Sequence, residues 1–292
     1  MRYHSYIIVI ALAISLTGCG ESDAVKANKK AMDTNSLEIS LRLAHTSESA
    51  GDFPAAERYF KQATTKDKNI ASRIELAEFY KRHHGARQAL AVLTEAQKME
   101  PNNTQVMRAI ANVHIDLNSP AEALKIIDGA LKITGNDALL YNSKGVALDM
   151  LGRYTHARNA YSTALSLDPD DAMLFDANLG MSYIMSGYYS KAIDLLLPLA
   201  RSPDSTPQIR QNLALAYGLK GDNENALKYA RRDLSGKEAE ENVKFYNMLA
   251  IKGGVKKPDA IINIPAIPPA APAASEPATP QEAPPTPAEM TR

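Results

Sequence analysis

Residues 138–171 read ALLYNSKGVALDMLGRYTHARNAYSTALSLDPDD, and this stretch carries the pattern of one complete helix–turn–helix unit. Bulky and small residues recur at i, i+4 and i+7 on one helical face of its first half: Tyr141, Gly145 and Leu148. A second apolar face follows, made of Ala157, Tyr161, Ala164 and Leu165. Gly152 predicts a turn between the halves, and Pro169 predicts the end of the second helix.

The small residue of the first helix recurs along the chain with a period of about 34 residues. From Gly145, the matching positions are Ala44, Ala77, Ala111, Gly180 and Ala214. Each heads a similar unit, so six units stand in phase. This pattern resembles the tetratricopeptide repeat (TPR) family. An ordinary helical bundle is the alternative, but a bundle gives no reason for small, turn and aromatic residues to return at one period.

The fold class implied by this resemblance is all-α, a superhelical TPR solenoid of about six helix–turn–helix repeats over residues 37–236. Residues 237–252 read as one further amphipathic helix, which we expect to cap the array, as repeat proteins require at their ends. In the fifth unit, Pro198 is expected to end or bend the second helix early.

The N-terminus predicts a lipoprotein signal peptide over residues 1–18. Arg2 precedes an apolar run that is too short to span a bilayer as a helix. The segment Leu16–Cys19 resembles the bacterial lipobox, which implies lipid attachment at Cys19 after cleavage. Cys19 is the single cysteine of the chain, so a free thiol is the alternative to an anchor. Gly20 after the cysteine favours the outer membrane, by resemblance to proteobacterial lipoproteins.

Both flanks of the array differ from it in composition. Residues 19–36 are polar and weakly patterned, and we interpret them as a flexible tether. Residues 253–292 form a Pro/Ala-rich tail that is expected to be largely disordered. The tail is interpreted as a spacer, with recognition of its proline segments by an aromatic groove as the alternative.

Charge and motifs give no indication of enzymatic chemistry. The 33 basic and 33 acidic residues balance, which argues against nucleic acid as a partner. The six histidines form no HExxH pair, and the phosphate-loop motif is absent from the sequence. We therefore predict no catalytic residue, metal, cofactor or small-molecule substrate.

The TPR resemblance implies that repeat positions 2, 5, 9 and 12 of the first helices face a concave groove. In the first half of the array this lining is mixed and polar: Glu38, Leu41, His45, Glu48, Ala71, Ile74, Glu78, Lys81, Gln105, Arg108, Asn112 and Ile115. In the second half it is more apolar and includes Asp149. The positions predicted there to bind a protein partner are Asn142, Val146, Leu174, Met181, Ile184, Gln211 and Leu215. Burial of these side chains by tight packing or by the capping helix is the alternative.

Together, the lipobox, the repeats and the tail resemble the TadD lipoproteins of tight-adherence (Flp) pilus assembly, and less closely the TPR pilotins of type IV pili. The resemblance implies an outer-membrane scaffold, facing the periplasm, that binds a secretin or another pilus component. A non-pilus envelope adaptor, which scaffolds peptidoglycan enzymes or outer-membrane protein assembly, is the first alternative. An enzyme is the second, because a fold does not fix a function.

Overall fold

The structure, a computed structural model, describes residues 23–66 and 70–251, which contain thirteen α-helices and no strand. The helices belong to two compact units, one with α1 and α2 and the other with α3 to α13. In the first unit they are α1 (Asp23–Ser49) and α2 (Phe53–Lys66). In the second they are α3 (Ile70–Arg82), α4 (Ala86–Met99), α5 (Thr104–Asp116), α6 (Pro120–Thr134), α7 (Ala138–Met150), α8 (Tyr154–Leu167), α9 (Ala172–Met185), α10 (Tyr189–Arg201), α11 (Pro207–Lys220), α12 (Asn223–Ala230) and α13 (Gly236–Ile251). The predicted all-α fold is confirmed.

The first unit is the pair α1 and α2. Its buried side chains include Ala44, Ala56, Phe60 and Ala63. Helix α1 begins at Asp23, so most of residues 19–36, the predicted flexible tether, is helical. The sequence between Asp23 and Ser49 is polar at first but contains neither Gly nor Pro, and its Ala and Lys residues favour helix. Polarity alone was therefore a poor guide to the start of this helix.

The second unit repeats one arrangement along the chain. Each first helix (α3, α5, α7, α9, α11) packs on the second helix that follows it, and also on the first helix of the next repeat. The two helices of a repeat are joined by only two or three residues. This is the helix–turn–helix periodicity that residues 138–171 predict.

Close packing within a repeat depends on the small residue of the first helix. A Cβ atom built on Gly145 would lie 2.4 Å from Cε1 of Tyr161, and one on Gly180 would lie 2.6 Å from Cδ2 of Leu196. Real Cβ atoms do not approach neighbours so closely. The absence of a side chain at these positions therefore lets the large side chain of the second helix fill the gap between the helices.

The turns inside the repeats share one backbone motif. After α7, Gly152 has a φ of 71°, and the N–H of Arg153 donates to the carbonyl of Leu148 at 2.9 Å. This is the left-handed helix end of a Schellman motif. In two repeats the left-handed residue is not glycine but His84 (φ 62°) or Asn118 (φ 56°). These turns therefore carry backbone strain that glycine would relieve.

The C-terminal end of the array differs from its middle. Helix α10 continues to Arg201, beyond Pro198, so that proline does not end the helix early. Helix α13 packs on α11 and α12 as the predicted capping helix. A Cβ on Gly218 would lie 2.7 Å from Cβ of Tyr246, so α13 and α11 are in close contact. Ser235 and Glu238 exchange hydrogen bonds of 2.9 and 3.4 Å at the start of α13, which is a capping box.

Candidate functional site

A pocket of about 180 Å³ lies between the first helices of two neighbouring repeats, α3 and α5. It is lined by Ile74 and Glu78 from α3 and by Gln105, Arg108, Ala109 and Asn112 from α5. All but Ala109 are among the groove positions that the TPR resemblance assigns to the first half of the array. The pocket therefore coincides with part of the predicted groove.

The charges of this pocket are only partly neutralised. On α3, Lys81 places its Nζ 3.2 Å from Oε2 of Glu78 and 3.8 Å from Oδ2 of Asp116. Within residues 70–251, the side chains of Arg108 and Gln105 make no hydrogen bond or ion pair of their own. Since a guanidinium binds a carboxylate through two parallel hydrogen bonds, Arg108 is the cation here that is free to bind one.

Amide side chains continue the polar surface from α5 to α9. The hydroxyl of Ser143 donates to Oδ1 of Asn112 at 2.8 Å, and Nδ2 of Asn178 donates to Oδ1 of Asn142 at 2.8 Å. Both bonds join neighbouring repeats, so they hold these amides in place. Asn142 and Asn112 remain partly exposed. The half-buried Val146 lies one helical turn beyond Asn142 on α7.

On α9, two of the predicted partner-binding residues are accessible. Leu174 is 46% exposed. Met181 is half-buried and packs against the core cluster of α9 to α13. Leu174 is thus an apolar side chain on the surface, at the end of the first-helix row that begins with the pocket.

Three other predicted partner-binding residues are buried, which corrects the expectation that they face an open groove. Ile184 is 1% exposed, Leu215 is 4% exposed, and both belong to the core cluster that also contains Tyr246 of α13. Gln211 is 7% exposed, and its Nε2 donates to the carbonyl of Ala230 at 3.2 Å. Contacts with the adjacent first helix and with the α12–α13 end of the array cover these side chains, as the alternative interpretation anticipated.

Asp149, also expected in the groove, is a buried carboxylate with an exposure of 5%. The hydroxyl of Tyr161 donates to its Oδ2 at 3.0 Å, and the hydroxyl of Ser182 donates to its Oδ1 at 2.7 Å. Burial raises the pKa of Asp149 to about 7, although both hydrogen bonds and the charge of Arg158 lower it. Asp149 therefore links α7, α8 and α9 inside the array and is not a surface contact.

The pairing of helices, the close approach at Gly145 and the repeated turn are matched by the sequence comparisons. Models of the tetratricopeptide repeat match residues 40–72, 86–145 and 138–171. The chain therefore contains tetratricopeptide repeats. TPR repeats of this kind imply a scaffold for protein–protein interaction.

Several known proteins are similar to this chain in sequence or in structure. The uncharacterized protein y4yS of Sinorhizobium fredii is 30% identical over 109 residues, which are 37% of this chain and 58% of that protein. The chain spans 58% and 51% of the length of curated relatives that it matches. The thermophilic TPR protein TTC0263 of Thermus thermophilus superposes with a TM-score of 0.55 at 18% identity, over 62% of this chain and 98% of that one. PilF of Pseudomonas aeruginosa superposes with a TM-score of 0.52 at 12% identity, over 73% of this chain and 98% of that one. At such identities the structural likeness shows the TPR fold alone.

The TPR fold is typically non-catalytic, and the absence of enzymatic activity in this chain stays a prediction. In the described ranges, no group of three His, Cys, Asp or Glu side chains is placed to hold a metal ion. None of the helices in those ranges combines the length and the apolarity that crossing a membrane needs. Cys19, the predicted signal peptide (residues 1–18) and the Pro/Ala-rich tail (residues 253–292) lie outside the described residues.

One surface cluster of this TPR array was not predicted from the sequence. At the α9–α10 turn, the guanidinium of Arg158 lies 5.3 Å from the ring centre of Tyr183 and 5.6 Å from that of Tyr188. Lys191 places its Nζ 5.2 Å from the Tyr188 ring, which belongs to a side chain that is 50% exposed. Arg158 comes from α8 of the preceding repeat, so only the packing of α8 on α9 brings its guanidinium over these rings.

Proposed function

We propose that this protein is a lipid-anchored TPR scaffold of the outer membrane, which binds a secretin or another component of a tight-adherence pilus machinery and assists its assembly. The lipobox-like segment Leu16–Cys19 supports the anchor, and Gly20 supports the outer membrane. The combination of this segment with six repeats and a Pro/Ala-rich tail supports the pilus role, by its resemblance to the TadD lipoproteins.

The observation that carries partner binding is the pocket with the unpaired Arg108. Glu78 already has Lys81 as its counter-ion, so a ligand carboxylate in the pocket meets an available guanidinium rather than a repelling charge. The uncommitted amide of Gln105 can bond a main-chain group beside it. The pocket thus fits an acidic residue or a C-terminal carboxylate of a protein partner.

The extent of the accessible first-helix surface indicates how long the bound partner segment is. Helices α3, α5, α7 and α9 are successive neighbours in the array. With about 8–10 Å between packed helices, three steps span about 25–30 Å. An extended peptide covers that distance with about eight residues. We therefore infer a segment with a carboxylate at the Arg108 end, main-chain contacts to Asn142, and a large apolar side chain against the exposed Leu174.

The test compares two charge reversals in the full-length protein. Arg108→Glu should weaken binding to immobilised secretin fragments by about 2 kcal/mol or more, because a hydrogen-bonded charge pair across the interface becomes a repulsion. Arg87→Glu is the matched control, since Arg87 is an exposed arginine on the second helix α4. Both variants should keep the wild-type melting temperature. Equal binding by the wild type and Arg108→Glu would remove the pocket from the proposal.

A second variant tests the apolar end of the surface. Leu174→Glu places a charge on an exposed side chain, so it should reduce secretin binding while leaving the unfolding transition unchanged. If no secretin fragment binds the wild-type protein, and a peptidoglycan enzyme or an outer-membrane assembly factor is captured through Arg108 instead, the envelope-adaptor alternative is correct and the pilus role is wrong.

A further inference from the structure

Helix α13 has a second apolar face that nothing in the described residues covers. One face, with Ala239, Val243 and Tyr246, is buried against the core cluster of α9 to α13. The other face carries Phe245 (39% exposed), Met248 (42%) and Ile251 (86%). These three side chains recur every third residue, so they form one stripe on the helix. A helix that is apolar on two sides is expected to be covered on both.

The position of α13 in the array explains why this stripe is open. Each earlier first helix, from α3 to α11, packs on the second helix that follows it in the chain. Within residues 70–251, the main contacts of α13 are with α11 and α12, and no helix follows it. It therefore stands as the first helix of a repeat whose second element has not been supplied by the described part of the chain.

The sequence directly after α13 contains a suitable apolar segment. Residues 261–267 read IINIPAI, with four isoleucines and no charge. After Ile267 the chain has no Ile, Leu, Val, Phe or Tyr, and Met290 is its one remaining large apolar side chain. The apolar residues of the C-terminal region are thus concentrated beside α13, apart from the Pro/Ala-rich stretch that follows them.

We propose that Ile261–Ile267 folds back onto the exposed stripe of α13 and closes the C-terminal end of the array. The intervening residues 252–260 number nine and include Gly253 and Gly254, which readily reverse the chain direction. Nine residues reach about 30 Å when extended. The stripe from Ile251 back to Phe245 covers six helical steps, or about 9 Å. The segment can therefore cover the whole stripe.

A segment tethered this closely has an advantage over other occupants. Short flexible linkers give effective concentrations in the millimolar range. A second copy of the chain at micromolar concentration would have to bind the same stripe far more tightly to displace it. If Ile261–Ile267 binds the stripe of its own chain, the Pro/Ala-rich stretch of residues 268–292 leaves the array from a fixed point at its end.

Hydrogen exchange and thermal unfolding of the full-length protein test the proposal with a matched pair of variants. The test variant is Ile262→Glu/Ile264→Glu, and the control is Ala271→Glu/Ala274→Glu, which adds the same charge outside the apolar segment. In the wild type, the amides of residues 261–267 should exchange more slowly than those of residues 270–283. The test variant should lose this protection, expose residues 244–251 to faster exchange, and lower the melting temperature by about 2–4 °C. The control should match the wild type.

Two results would overturn the proposal. One is equally fast exchange in residues 261–267 and 270–283 of the wild type. The other is a mass from light scattering that doubles with concentration while residues 261–267 stay unprotected, since the stripe would then pair with a second copy. A variant Phe245→Ser/Met248→Ser provides an independent check from the helix side. It should release the protection of residues 261–267 even though neither substitution lies in that segment.

Discussion

Replacing Asp149 by asparagine should stabilise the array and remove part of its pH dependence. The wild-type carboxylate is 5% exposed and accepts hydrogen bonds from the hydroxyls of Tyr161 and Ser182, both of which are neutral donors. An ionised Asp149 therefore keeps its charge in a poorly solvated place with no direct ion-pair partner. Asparagine has the same shape, can accept from Ser182 through Oδ1, and can donate to the oxygen of Tyr161.

The magnitude follows from the two pKa values of this group. The pKa of Asp149 is raised from an ordinary value of 3.8 to about 7 in the folded protein. Because the pKa of Asp149 is higher in the folded state than in the unfolded state, its contribution to stability is fully present below about pH 4. That contribution is lost as the pH rises to about 7. A difference of about three in pKa means that ionisation of Asp149 lowers the free energy of unfolding by at most about 4 kcal/mol above pH 7. At pH 5 the loss is about 1.5 kcal/mol. Relaxation around a buried charge reduces such penalties, so we expect a gain of about 1–3 kcal/mol at pH 8.

Urea unfolding at pH 5 and pH 8 measures this gain for the wild type and Asp149→Asn. The stability difference should favour the variant and should be larger at pH 8. Asp128→Asn is the control, because Asp128 is half-exposed and pairs with Lys144 at 2.8 Å, so its removal should change stability by less than about 1 kcal/mol. A variant that is less stable than the wild type at pH 8, or a difference that is the same at both pH values, would refute the reasoning.

Three further substitutions test the fold and the anchor. In urea unfolding, Gly145→Ala should destabilise the protein by about 1–3 kcal/mol, because the new Cβ would lie 2.4 Å from the ring of Tyr161. Gly129→Ala is the control and should be neutral or stabilising, since its Cβ would make only an ordinary contact of 3.4 Å. His84→Gly should raise the stability by about 0.5–1 kcal/mol, since glycine adopts a φ of 62° without strain. Asn118→Gly should gain less, because asparagine tolerates that conformation better. A melting temperature of His84→Gly at or below that of the wild type would contradict this. Cys19→Ser should abolish metabolic labelling with palmitate and outer-membrane fractionation, and unchanged labelling would exclude the anchor.

The sequence was sufficient for the repeats because their packing is local. The spacing of Gly145 and Tyr161 predicts a close helix pair, and the structure places these residues in contact. Gly152 likewise predicts the turn that is observed, with a left-handed φ. A position such as His84 was harder to interpret, since its residue type gives no sign of the backbone conformation that the repeat imposes on it.

The candidate site was harder to predict because exposure depends on neighbouring repeats. Ile184 and Leu215 occupy positions that the family assigns to the groove, yet the adjacent helices of the C-terminal end bury them. Glu78 occupies the same repeat position as Leu215, and Arg108 the same one as the buried Gln211, yet Glu78 and Arg108 line an open pocket near the other end of the same unit. Whether a groove position is exposed or buried therefore cannot be read from its residue type. It depends on which helix packs beside it.

The capping helix thus limits which part of this unit the proposed partner could use. Helix α13 packs against α11, so a groove-position side chain of α11 such as Leu215 lies in the core and is not open to a partner. The first-helix surface that stays accessible runs from the pocket between α3 and α5 to Leu174 on α9. Its unpaired cation lies at one end and its exposed leucine at the other, so a bound segment has a preferred direction. A partner peptide with its carboxylate and apolar anchor in reversed order should therefore bind more weakly than the native order, although both have the same composition.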